Sequence, residues 1–238
     1  PYVGLLKTMI GLVDTKEHSY SELYNEINLQ TGGIAPALNT YTDARNLSKY
    51  TATFDLKVKV LYENLPKAFA LAEEILTRSV YTDAKRLYEL VAEKRSEKQA
   101  DMMSAGHKLA AGQALSHLSK TAMVIEQTNG LAFYRMLEEL EEKFDEKKEE
   151  VIDKLQKLVV YLFRPENLMV DYTAQENGMD GIEKLVEHLK SVLYTEPVQG
   201  AGYLPKPEKK NEGFMSSAQI QYVCRAGNFE TKGLPYTG

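Results

Sequence analysis

The spacing of the apolar residues changes at Gly32-Gly33, and that change constrains the fold more than any other feature of the chain. Before it, apolar residues return every three to four positions. Within Pro1–Val13, Tyr2, Leu5, Leu6, Met9 and Leu12–Val13 keep to one face of a short helix. Tyr20–Gln30 reads as a second helix, with Ser19 or Ser21 as its N-cap and Glu22 and Glu26 toward its start. The two glycines end it, because glycine reaches φ > 0 without a steric penalty. After them the period falls to two. Ile34–Thr42 and Tyr50–Leu61 carry β-branched and aromatic residues, and Phe54, Leu56, Val58 and Val60 alternate with Asp55, Lys57 and Lys59. Polar Asp43–Lys49 joins the two runs, so they pair as a hairpin with one apolar face that has to be covered.

Helical spacing then resumes. Leu65–Thr77 is amphipathic, with Pro66 in its first turn, where a missing N–H costs nothing. Thr82-Asp83 caps a long helix running from about Ala84 to about Leu118, bent near Gly106 and Gly112. Helices at Thr121–Gln127, Gly130–Phe144 and Glu146–Phe163 follow, and Arg164-Pro165 stops the last. Leu168, Val170 and Tyr172 alternate within Asn167–Ala174, which predicts a third strand; Gly181–Tyr194 predicts a further helix. Pro197, Gly200, Gly202, Pro205 and Pro207 mark Thr195–Gly213 as a linker. Ser217–Ala226 predicts one last strand, with Cys224 in its middle as a small buried hydrophobe. The expected fold class is α+β, a mainly antiparallel sheet covered by helices. Residues 1–194 would form the domain, 195–213 a linker, and 214–238 the first strand and turn of a following, truncated domain. The chain therefore reads as a fragment, and no repeat of fixed period runs through it.

Several function classes drop out on chemistry. A net charge of -5 weighs against a nucleic-acid partner, which requires a basic stripe. A single cysteine excludes an intrachain disulfide framework and a multi-cysteine zinc site. No apolar run approaches the ~20 residues that span a bilayer, so no membrane partner is expected. No basic segment followed by an apolar one opens the chain, and the expected location is cytoplasmic. His18, His107, His117 and His188 include no pair at i, i+4 and none has a Glu three residues away, so they read as surface or helix-end residues. There is no Gly-x-Ser-x-Gly elbow, and Gly200-Ala201-Gly202 lacks the third glycine and the preceding strand of a dinucleotide fingerprint. The eight carboxylates within Glu138–Glu150 match no calcium loop and read as solvated helix faces among lysines. The residues by themselves assemble no catalytic or metal site.

The stretches Tyr2-Val3-Gly4-Leu5-Leu6, Ser19-Tyr20-Ser21-Glu22-Leu23 and Glu26-Ile27-Asn28-Leu29-Gln30-Thr31-Gly32-Gly33-Ile34 carry a resemblance, joined by Glu126-Gln127-Thr128-Asn129-Gly130-Leu131-Ala132-Phe133-Tyr134. Together they resemble the third domain of a presequence-protease-type metallopeptidase of the insulinase/pitrilysin superfamily, whose zinc motif is His-x-x-Glu-His. Gln221-Tyr222-Val223 and Leu234-Pro235-Tyr236 are similar to the opening of the fourth domain. The resemblance implies a metallopeptidase-like half domain: the fold of the zinc-binding first domain without its chemistry, helping to wall a peptide chamber. The zinc motif would fall at Leu5-Leu6-Lys7-Thr8-Met9, with Leu5 and Met9 in the histidine positions and Thr8 in that of the general base. Glu93 would correspond to the remaining acidic ligand, left as a surface or capping carboxylate.

The resemblance thus implies no cofactor and no catalytic residue in this chain, and zinc in the parent enzyme. The implied partners are the other domains of the same polypeptide and the parent's peptide substrates. A structural or assembly subunit of the same fold, without peptidase activity, is the alternative. A helical interaction module using Glu138–Glu150 is a third reading. Domains of the family open with a strand that this chain lacks. Ser217–Ala226 is therefore expected to fill the vacant place, in its own chain or swapped into a partner to make a dimer.

Overall fold

The computed structural model describes residues 1–43, 45–199, 204–215, 219–229 and 232–234. Its first helices form where the apolar spacing places them. α1 spans Tyr2–Met9 and buries Gly4, Leu5, Leu6 and Met9. α2 spans Tyr20–Gln30, and Ser19 caps it through a reciprocal box. The Ser19 hydroxyl accepts from the Glu22 amide, and the Glu22 carboxylate accepts from the Ser19 amide at 2.9 Å. β1 (Ile34–Asp43) and β2 (Asn46–Val58) then pair antiparallel, in register from Ile34↔Val58 to Thr42↔Tyr50, with an irregularity at Asp43. Phe54 and Leu56 turn toward the core, and Phe54 meets Phe163 edge-on at 5.3 Å. The apolar face runs out at Val58, which is exposed. The hairpin is the whole sheet among the described residues.

Helices cover the hairpin. α3 is Leu65–Thr77; α4 is Ala84–Ser104, capped by the Asp83 carboxylate accepting from the Arg86 amide at 3.0 Å; α5 is Gly106–Ser116. α6 is Lys120–Asn129, α7 is Leu131–Glu142, α8 is Phe144–Leu162 and α9 is Ile182–Val192. One continuous core draws on them: Leu5, Leu6 and Met9 of α1 meet Ile75 of α3, Leu87 and Val91 of α4, Leu137 of α7 and Leu155 of α8. Full burial of a side chain of this size stabilises by roughly 1.5–3 kcal/mol.

Four expectations need correction. The predicted single helix from Ala84 to Leu118 breaks at Ala105, whose φ/ψ of -131/43 leaves the helical region, while Gly106 begins the next helix and Gly112 lies inside it. Asn167–Ala174 is not a strand. A 3-10 turn at Pro165–Asn167 leads into irregular chain, with a second turn at Glu176–Gly178. Alternation at Leu168, Val170 and Tyr172 finds no sheet edge to join. The segment is held instead by Tyr172 donating to the Gly178 carbonyl at 2.7 Å and by the Gln175 amide donating to the Tyr62 hydroxyl at 2.9 Å. Ser217 and part of the linker lie outside the described residues, but Gln219–Ala226 does not enter the sheet. Tyr222 packs on His107 of α5 with ring centroids 5.7 Å apart, Ile220 and Val223 are exposed, and the expected filling of a vacant strand position in the same chain does not occur. Cys224, read as buried, is exposed.

Candidate functional site

The degenerate motif positions lie on α1, and what surrounds them decides what they can do. Leu5 and Met9 are 0% exposed and sit in the core. Thr8 is half-buried and donates its hydroxyl back to the Gly4 carbonyl at 3.0 Å, a bond internal to the helix. Zinc takes donors from Cys, His, Asp or Glu. Leu5 offers none, the Thr8 hydroxyl is already committed, and the Met9 sulfur is packed among hydrocarbon. These residues do not fit the metal. Glu93 is exposed on α4 and makes no ion pair among the described residues. No group of three or more His, Cys, Asp or Glu is placed to hold a metal ion among the described residues.

α1 is locked in place by close backbone approach. A Cβ added at Gly4 would lie 2.2 Å from the Thr128 carbonyl oxygen of α6 and 3.1 Å from the Phe133 ring of α7. Two of the stretches that carry the family resemblance, Tyr2–Leu6 and Glu126–Tyr134, therefore pack against each other, with glycine as the spacer between them.

The acidic run is a set of ion pairs. Glu139 pairs with Lys147, Glu150 with Lys154, and Glu138 and Glu141 flank Arg95 at 3.7 and 3.3 Å. Hydrogen bonds from Lys147 and Lys154 hold the Glu139 and Glu150 carboxyls below the usual carboxylate range. Tyr2 donates to Glu150 at 3.2 Å, and burial, with help from that carboxylate, pushes its phenol up to about 12. Exposed pairs of this kind contribute little to stability.

Sequence reading missed a polar cluster at the C-terminal half of α3. Consecutive carboxylates of Glu73 and Glu74, 11% and 8% exposed in their side chains, each meet a histidine from elsewhere. His18 Nδ1 lies 2.9 Å from Glu74 Oε1, and the Thr15 hydroxyl donates to the same oxygen. His188 Nε2 lies 2.9 Å from Glu73 Oε2, and Arg78 donates to Glu73 at 2.7 Å and also to Glu17. Beside it is a recess of about 470 Å³ lined by Lys16, Arg78, Tyr194 and Glu196 among others. The one signal in the sequence is two adjacent charges inside an amphipathic helix, where at least one must turn toward the buried side. A second histidine pairing lies on α5, where His117 Nε2 is 2.7 Å from Glu212 and Gln113 donates to the same carboxylate. That bond from Gln113, with the one to His117, lowers the Glu212 pKa.

Helices packed over one hairpin, with a first helix sealed into the core, define a helix-rich α+β domain. The family model for the associated domain of subfamily C of the M16 peptidases matches residues 1–140, and the chain belongs to that peptidase-associated family. It is similar to Protein HypA of Clostridium perfringens, at 29% identity over 238 residues that cover 100% of this chain and 24% of the relative. Presequence protease 1, chloroplastic/mitochondrial, of Arabidopsis thaliana is 26% identical over 242 residues, 100% of this chain and 22% of its own length. Presequence protease, mitochondrial, of Saccharomyces cerevisiae is 24% identical over 248 residues, 100% of this chain and 25% of its own length. The chain thus spans about a quarter of the length of these relatives, and it is a peptidase-associated domain.

Proposed function

We propose that the chain is a non-catalytic, chamber-forming domain of a metalloendopeptidase that degrades peptides, with zinc and the catalytic residues supplied by other parts of the parent. The observation that carries this reading is the burial of Leu5 and Met9 in a chain similar from end to end to presequence proteases. A helix that in a catalytic domain would present ligands instead presents hydrocarbon to its own core. Its worth is structural: it fixes α1 against α4, α6 and α7, and through them the hairpin. The parent's peptides and its other domains are the partners this reading requires.

The test uses the intact parent. A His-x-x-Glu-His motif elsewhere in the parent sequence, together with peptide hydrolysis that EDTA abolishes, is the expected result. A parent that lacks the motif and leaves peptides intact would instead make this domain part of a structural or assembly subunit.

A further inference from the structure

Glu73 and Glu74 are neighbours in sequence and similarly buried, but they are compensated in different ways. Glu73 accepts from the Arg78 guanidinium, a permanent cation, at 2.7 Å. Glu74 has the neutral Thr15 hydroxyl and the His18 imidazole, so its countercharge exists only while His18 holds a second proton. A buried carboxylate without a countercharge is destabilising.

The hydrogen bonds of the α1–α2 connection converge on this point. The Thr15 hydroxyl oxygen accepts from the Glu17 and His18 amides at 3.2 and 2.9 Å, and the Thr15 amide donates to the His18 carbonyl at 2.8 Å. The connection is then bonded to the chain leaving α3. The Lys16 amide donates to the Arg78 carbonyl at 3.0 Å, and the Val80 amide donates to the Asp14 carbonyl at 2.8 Å.

We propose that His18 and Glu74 form a proton-dependent latch that fastens residues 14–19 to the end of α3, closed while His18 is an imidazolium and loosened when it is neutral. The charged surroundings favour the closed form. Glu74 faces His18 from α3, and Glu22 and Glu26 add negative charge from α2. Arg78 is occupied by Glu17 and Glu73, and His188 approaches from α9 on the Glu73 side. The hydrogen bond to Glu74 raises the His18 pKa above its ordinary 6.5, against a smaller opposing effect of burial. A histidine raised in this way stabilises the folded arrangement fully below the unfolded value, and that contribution is lost as pH rises through the folded value.

Amide hydrogen exchange between pH 5.5 and 8.5, corrected for intrinsic rates, tests the latch. The Thr15, Lys16, His18 and Val80 amides should lose protection as pH rises, several-fold to about tenfold, with the midpoint of the His18 ring titration followed by NMR. His18→Gln keeps a donor without the charge, and it should leave these amides weakly protected at every pH. Glu74→Gln removes the buried charge and should flatten the profile while the loop stays closed. His188→Gln should leave the profile unchanged. Protection that does not vary with pH in the wild type, a His18 pKa at or below 6.5, or a Glu74→Gln variant that keeps the wild-type profile would overturn the latch.

Discussion

Gly4→Ala is expected to destabilise the domain by about 2 kcal/mol, although alanine is the better helix former. Alanine gains up to ~1 kcal/mol over glycine in a helix interior. Against this stands a Cβ 2.2 Å from the Thr128 carbonyl oxygen, with its carbon at 3.0 Å. That neighbour is backbone in the last turn of α6 and cannot rotate away, so α1 and α6 have to separate. Overpacking of this kind costs about 1–3 kcal/mol or more, and the separation also opens the contact between α1 and Phe133. At ~2–4 °C of melting temperature per kcal/mol for a chain of this size, the midpoint should fall by roughly 4–8 °C. Gly112→Ala is the matched control: it lies inside α5 with nothing within 4 Å of the new Cβ, and it should stabilise slightly. Thermal or urea unfolding of the two variants checks the pair. A Gly4→Ala variant as stable as the wild type would mean that the two helices do not cross as closely as described.

Restoring a ligand set on α1 should unfold the domain before it yields any chemistry. The triple variant Leu5→His, Thr8→Glu and Met9→His places two imidazoles and a carboxylate on a helix whose Leu5 and Met9 positions are 0% exposed. Removing a large buried side chain costs ~2–5 kcal/mol, and a polar replacement without a partner adds its own desolvation penalty. Two such positions together approach the whole stability of a typical domain, about 5–15 kcal/mol. The expected result is a variant that is largely unfolded or melts far below the wild type. Met9→Leu, close to isosteric, should cost less than ~1.5 kcal/mol. A triple variant that melts with the wild type would show α1 to be exposed to solvent, contrary to the packing described.

Much of this fold is legible where a local signal and the tertiary need agree. Ser19 with Glu22, Asp83 ahead of α4, and the change of period after Gly32-Gly33 all mark boundaries through short-range chemistry, and each lies where its residues place it. Legibility ends where a partner has to be supplied from far away. Leu168, Val170 and Tyr172 alternate as a strand does, yet a strand exists only with an edge to bond, and Tyr62 takes that segment into a turn instead. Ile220 and Tyr222 alternate in the same way, and Tyr222 settles on α5. The break at Ala105 carries no glycine or proline signal, the glycine following one residue later. Among site residues, the loss of ligands at Leu5 and Met9 is visible in the sequence because an absent histidine needs no geometry. The cluster of Glu73, Glu74, His18, His188 and Arg78 is not, because its histidine pairs span 56 and 115 residues and no spacing rule connects them.

The central claim is that this chain shapes a peptidase without carrying the metal chemistry. Zinc content of the purified wild-type chain, measured by metal analysis after exhaustive dialysis against zinc-free buffer and read beside hydrolysis of a fluorogenic peptide, tests it most directly. The expected result is far less than one zinc per chain and no turnover. One tightly held zinc per chain, with turnover that EDTA removes, would contradict it.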